Sequence, residues 1–226
     1  MSGTFNIAID GPAGAGKSTI AKTVAARLGF IYVDTGAMYR AMALYFLRKG
    51  IKKEDEAAIE EACEEIEISI RYEDGVQQVL LNGENVSGLI RTEEVGNMAS
   101  ASSVYGAVRR KLLELQRELA RTSNVIMDGR DIGTCVLPEA QTKIYLTASS
   151  HVRAVRRYKE LAEKGQMCNL EEIEQDIIER DYRDMHRDIA PLKQAEDAVL
   201  IDSSEMTIEQ VIGAIIEAAK KRGLDG

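Results

Sequence analysis

An α/β fold, a parallel sheet with crossover helices, is predicted for this chain by three observations. Short apolar runs of strand type alternate with stretches whose apolar residues recur at helical spacing. A glycine-rich turn joins the first such run to the first helix. The 226 residues are 45% hydrophobic and 29% charged, the balance of a globular chain with ample core. One domain over residues 1–226, carrying an insert, accommodates all of it.

The elements follow in order. Phe5 to Asp10 reads as a strand, and Lys17 to Leu28 as a helix with Ile20, Val24, Ala25 and Leu28 on one face. Phe30 to Val33 is a short strand, followed by helices at Ala37 to Arg48 and Glu54 to Glu64. Ile66, Ile68, Ile70 and Tyr72 then alternate with polar residues, the period of a half-buried strand. Turns at Asp74-Gly75 and Asn82-Gly83 make Ile66 to Val86 a three-stranded antiparallel meander, so residues 63–98 are expected to form an insert. Helices resume at Glu93 to Ser100 and Gly106 to Thr122. Val125 to Met127 and Lys143 to Leu146 are strands. Two long helices span His151 to Lys164 and Leu170 to Arg187, the second stopped by Pro191. Val199 to Ile201 is a last strand, and Ile208 to Lys221 a closing amphipathic helix.

The turn after the first strand reads Gly11-Pro12-Ala13-Gly14-Ala15-Gly16-Lys17-Ser18-Thr19, a match to G-x-x-x-x-G-K-[ST]. Between a strand and a helix, such a run cradles a polyphosphate. Its backbone N–H groups turn inward and the helix N-terminus adds its dipole. Lys17 can reach the β and γ phosphates, and the Ser18 hydroxyl can sit on Mg²⁺. Alone, the loop does not separate ATPases, GTPases and small-molecule kinases.

Arginines supply a second constellation. Arg153, Arg156 and Arg157 share one helix face, as do Arg180, Asp184 and Arg187. Arg40 lies on the helix after Asp34-Thr35-Gly36, and Arg130 follows a strand end, where open α/β sheets bind ligands. Guanidinium forks match phosphate oxygens, and moving a phosphoryl group between two phosphorylated molecules gathers negative charge. Asp128, at the same strand end, either holds Mg²⁺ through waters or caps a turn before Gly129. His151 and His186 read as helix-surface residues, so no histidine base is expected.

A net charge of −8 argues against nucleic acid or an anionic membrane as partner. No apolar span suits a membrane helix and no signal peptide is evident, so a cytoplasmic protein with reduced thiols at Cys63, Cys135 and Cys168 is expected. With no large exposed apolar stripe visible, a monomer is expected too. No Asn-Lys-x-Asp run supports a guanine-nucleotide switch.

Five segments together resemble the bacterial cytidylate kinases. They are Asp10 to Thr19, Asp34-Thr-Gly-Ala-Met-Tyr-Arg40, Val86 to Val95, Met127-Asp-Gly-Arg-Asp-Ile-Gly-Thr134 and Glu179 to Leu192. The resemblance covers nearly the whole chain. It implies a P-loop nucleoside monophosphate kinase fold: a five-stranded parallel core with helices on both faces, a monophosphate-binding insert and a helical lid near residues 150–168. It implies transfer of a phosphoryl group from ATP to CMP or dCMP with Mg²⁺. Tyr39, Arg40 and Arg130 would hold the acceptor, both arginines on its phosphate. Ser100, Arg109 and Asp131 would read cytosine, Arg180 and Asp184 would contact the ribose, and Arg187 would lie beside the acceptor. Arg153, Arg156 and Arg157 would be lid arginines, with Lys17, Arg130, Arg153 and Arg157 the catalytic set. Thr35 stands where a serine is often found and keeps the hydroxyl; Ala13 replaces a serine of some relatives and loses it.

Overall fold

The computed structural model describes residues 3–224. Five strands form one parallel sheet: β1 (Asn6–Asp10), β2 (Ile31–Asp34), β6 (Val125–Gly129), β7 (Thr142–Thr147) and β8 (Val199–Asp202), in the spatial order β2-β6-β1-β7-β8. Between β2 and β6 come α2 (Thr35–Arg48), α3 (Glu56–Glu65), a hairpin sheet of β3 (Ile68–Glu73), β4 (Val76–Leu81) and β5 (Glu84–Asn85), then α4 (Glu93–Ser102) and α5 (Gly106–Thr122). The remaining helices are α1 (Lys17–Leu28), α6 (Ser150–Glu163), α7 (Leu170–His186) and α8 (Ile208–Lys221).

Strand alternation assigns the two faces of the sheet. Ile7, Ile9, Tyr32, Ile126, Ile144 and Leu146 meet α1 and α8 on one side. Ala8, Val33, Val125 and Met127 meet α2 and α5 on the other. The antiparallel sheet has no core of its own. Val79 and Leu81 of β4, with Val86, Ile90, Val95 and Met98, share the apolar cluster of Met38 and Phe46 on α2. The meander is thus seated on the core through α2.

Three expectations are corrected. First, the helix expected to end at Arg187 against Pro191 stops at His186, with Arg187 extended at φ −69°, ψ 144°. There the Arg187 guanidinium reaches Asp131 (3.3 Å) and the Ala190 carbonyl (2.7 Å), while Leu192 N donates to the Asp184 carbonyl. The chain turns inward at Arg187, four residues before the proline. Second, the chain does carry an exposed apolar stripe. Ile178, Tyr182 and Met185 on α7 are 45, 64 and 43% exposed. Their i, i+4, i+7 spacing is hidden among the acidic and basic residues of that helix. Third, residues 132–136, given no element in the sequence reading, form a π-helical turn.

The α6–α7 arm is thinly attached. Arg153 and Ala154 are the buried residues of α6, and Asp184 is the one of α7. No helix among the described residues is long and apolar enough to cross a membrane.

Candidate active site

The C-terminal ends of β1, β2 and β6 meet in one cleft, the usual ligand position in open α/β sheets. Gly11 opens the loop at φ 148°, and a Cβ there would lie 1.9 Å from the Leu146 carbonyl oxygen, so only glycine lets the loop leave β1 this closely. Lys17 is buried and donates to the Pro12 carbonyl at 2.7 Å. Burial first, and Arg130 second, push its pKa well below the ordinary lysine range. A buried ammonium beside a guanidinium is a site waiting for an anion.

Ser18 donates its hydroxyl to Asp128 Oδ2 at 2.8 Å, and Tyr32 donates to Oδ1 at 3.0 Å. Burial, then Asp34, raise the Asp128 pKa. A hydroxyl and two neighbouring buried carboxylates are hard oxygen donors, the set that suits Mg²⁺. The carboxylate reaches across the cleft to Ser18 and caps no N–H after Gly129.

On the acceptor side, Asp131 is buried between two guanidiniums: Arg109 bonds one oxygen and Arg187 the other. Tyr39 lies in the same field. Burial raises its phenol to about 12, and Arg109, Asp131 and Arg187 act on it next. These four residues come from α2, α5, the end of β6 and the end of α7. Ser100, on α4, makes no side-chain hydrogen bond to Arg109 or Asp131.

Beside this pocket stand Arg40, Arg130 and Arg180. Arg130 Nε donates to Asp184 Oδ2 at 2.9 Å. Burial opposes charge on Asp184, but Arg130 outweighs it and holds the carboxyl below its usual range. Arg180 is the odd member: its Nε is buried with no hydrogen-bond partner. Burial, then Arg130, lower its pKa to about 10. An orphaned buried donor among like charges calls for an anion. The geometry sets Arg180 with the phosphate arginines as readily as with a ribose. Burial likewise lowers Arg40, with Arg91 next and Arg157 further down, which brings Arg157 into the field of this cluster.

Arg40 also joins the meander to the core. Its Nη1 donates to the carbonyls of Ile90 (3.1 Å) and Thr92 (3.4 Å), and its guanidinium lies where a Cβ on Gly96 would sit, 3.1 Å away. Arg91 and Thr92, for which the sequence suggested no more than a part in placing the insert, make contacts of that kind. Arg91 bonds Asp34 Oδ2 at 2.8 Å, and Thr92 caps α4. Gln77 of β4 pairs both ways with the Asp34 backbone, at 2.8 and 3.2 Å. The Thr35 hydroxyl is committed to the Asp128 carbonyl at 2.7 Å.

The three helix-face arginines part company. Arg153, 4% exposed, bonds the Ala13 carbonyl of the phosphate loop at 2.9 Å and forks onto Asp181. Arg156 turns to the Ser203 carbonyl at 2.8 Å, beyond β8. Arg157, half exposed, pairs with Glu160. Spacing on a helix gave a shared face but not a shared target. Asp181 was missed because only the Arg180, Asp184, Arg187 face was followed; its signal was a carboxylate one position along from that face. Gln77 carried no signal. His151 pairs with Glu174 and His186 stacks on Tyr182, both away from the cleft.

The comparisons agree with this geometry. A cytidylate kinase family model matches residues 7–221. A cytidylate kinase of Citrifermentans bemidjiense is 49% identical over 220 residues, covering 97% of this chain and 94% of that relative. One from Lactobacillus gasseri is 49% identical over 218 residues, covering 96% and 95%. Among solved structures, a shikimate kinase from Bacteroides thetaiotaomicron superposes with a TM-score of 0.50 at 14% identity, over 96% of this chain and 98% of that one, a likeness of fold alone. With a phosphate loop, a guanidinium-lined acceptor side and a match from the first strand to the last helix, this chain belongs to the cytidylate kinase family.

Proposed function

We propose that the protein transfers the γ-phosphoryl group of ATP to CMP or dCMP, giving ADP and CDP or dCDP. The observation that carries this reading is the pairing of two anion sites in one cleft. The Lys17 loop lies on one side, and Arg40, Arg130 and Arg180 beside Asp131 lie on the other.

ATP docks on Gly11 to Thr19, and Lys17 exchanges its bond to the Pro12 carbonyl for phosphate oxygens. Ser18 and Asp128, backed by Asp34, would hold Mg²⁺, which when bound neutralises charge on the β and γ phosphates. The acceptor phosphate fills the arginine cluster and satisfies the orphaned Arg180 Nε. With a second pKa near about 6, it is already an oxyanion at pH 7, so no general base is needed. Each Asp131 oxygen accepts one guanidinium and keeps a lone pair for the exocyclic amine of cytosine. Uracil would set a carbonyl oxygen against that carboxylate, a mismatch of about 1–3 kcal/mol.

The meander and α4 form the monophosphate-binding unit, and α6 with the turn after it the lid. Arg153 is already seated on the loop, so Arg157, free of the core, is the arginine that closes over the transferring group. Closure excludes water, a competing acceptor. All of these residues belong to one chain, so the reaction asks for no second copy. Nucleotide substrates fit a cytoplasmic location.

ADP release measured with CMP, dCMP, UMP, AMP, GMP and TMP tests the reading. Near silence without acceptor and fastest turnover with CMP or dCMP is expected. Slow hydrolysis indifferent to acceptor would instead mark a nucleotide-dependent switch.

A further inference from the structure

Asp10 closes β1 and directly precedes the phosphate loop, yet the roles proposed above for the two nucleotides do not use it. Its side chain is turned to the other substrate's side. Oδ1 accepts from Ile132 N at 2.8 Å and Oδ2 from Gly133 N at 2.7 Å. Those amides open the π-helical turn at residues 132–136, in which the Asp131 carbonyl accepts from Cys135 N (2.9 Å) and Val136 N (3.2 Å). The far end of the turn is held as well: Arg117 donates to the carbonyls of Val136 (3.1 Å) and Cys135 (3.0 Å). A carboxylate pins the N–H end and a guanidinium the C=O end. Isolated π-turns are rare and are concentrated at functional sites.

Two features make this more than a turn cap. The route is short: Asp10 is bonded through Gly11 to the loop and, by two hydrogen bonds, to the two residues after Asp131. The choice of a carboxylate is also costly. Asp10 is 5% exposed, and its neighbours include Asp131, a like charge, as well as Lys17. An anion kept there against burial holds two amides at once, which a neutral amide side chain cannot do.

We propose that Asp10 is a positioning residue for the acceptor base, setting the separation between the phosphate loop and the Asp131 carboxylate and hence the alignment of the two nucleotides. The inference rests on the reading of Asp131 as the acceptor for the cytosine amine. A small displacement of a reacting partner costs up to about a hundredfold in rate.

The test is a double-mutant cycle in the full chain: wild type, Asp10→Asn, Asp131→Asn and the double variant, each with KM for CMP, KM for ATP and kcat. Asp131→Asn should raise KM for CMP roughly tenfold. Asp10→Asn should raise it about fivefold and leave KM for ATP within about twofold, since one amide bond to the turn is lost and the loop is untouched. The double variant should lie within about twofold of Asp131→Asn alone, because Asp10 acts through Asp131. Equal increases in both KM values for Asp10→Asn, or multiplied effects in the double variant, would reduce Asp10 to a structural cap and overturn the inference while leaving the base assignment intact. An unchanged KM for CMP in Asp131→Asn would overturn the base assignment and the inference together. Should Asp10→Asn not fold, Asp10→Ser, which keeps one acceptor, takes its place in the cycle under the same outcomes.

Discussion

The two halves of the cleft are built in opposite ways. The proposed donor half is largely backbone: nine consecutive residues, Gly11 to Thr19, with one buried lysine. The proposed acceptor half is side chain: Tyr39, Arg40, Arg109, Arg130, Asp131, Arg180 and Arg187 arrive from three helices and a strand end. A backbone cradle recognises any polyphosphate and depends on few side chains. In the pocket, Asp131 pairs with Arg109 and Arg187, and Arg130 pairs with Asp184, so these members hold one another in place.

Lys17→Ala breaks the comparison at its one donor side chain with direct charge. It should lower kcat about a thousandfold or more while KM for CMP stays within about threefold, as steady-state ADP release would read. A rise in KM for CMP to match would mean that the halves are not separate.

Asp10 spans both halves, and its pH dependence sharpens the picture. Burial raises its carboxyl from 3.8 to about 6. An acid with a higher pKa when folded binds more protons in the folded state, so its contribution to stability falls as pH rises. The stability of wild type relative to Asp10→Asn should therefore fall by about 2 kcal/mol between pH 4 and pH 7, then level off. Urea denaturation of both proteins across that range checks it, and a constant difference would place Asp10 outside the buried seam.

Asp131→Ala attacks the acceptor half alone. It should cut kcat/KM for CMP by about ten- to a hundredfold, leave KM for ATP within about twofold, and narrow the gap between CMP and UMP. An undiminished preference for CMP would move base selection to other residues. Gln77→Ala is the mildest change. Loss of its two bonds to Asp34 should raise KM for CMP about threefold and cost about 1 kcal/mol in denaturant unfolding, with ATP binding unaffected.

The same contrast explains what the sequence made legible. The donor loop could be read from eight contiguous letters because its function is local. The strands and helices followed from apolar periodicity, and the hairpins from Asp74-Gly75 and Asn82-Gly83. In the acceptor pocket, helix spacing and a strand end singled out Arg40, Arg130, Arg180 and Arg187, whereas Tyr39, Arg109 and Asp131 were reachable only through resemblance, because the fold brings them together from distant positions. What escaped both routes depends on side-chain direction. Arg156 leaves the face it shares with Arg153, Asp181 holds Arg153 from a neighbouring face, and Asp10 turns from the loop it introduces toward the π-turn. The turn itself was invisible because five residues are too few to show a period. The end of α7 was read to within one residue, whereas the pairing of Arg187 with Asp131 beyond it is tertiary.

A crystal structure of the protein with CMP and a non-hydrolysable ATP analogue tests the division of the cleft most directly. The account predicts the cytosine amine within hydrogen-bond distance of an Asp131 oxygen, the CMP phosphate among Arg40, Arg130 and Arg180, and the triphosphate on the amides of residues 11–19. A cytosine seated away from Asp131, with Arg180 Nε still unpartnered, would contradict it.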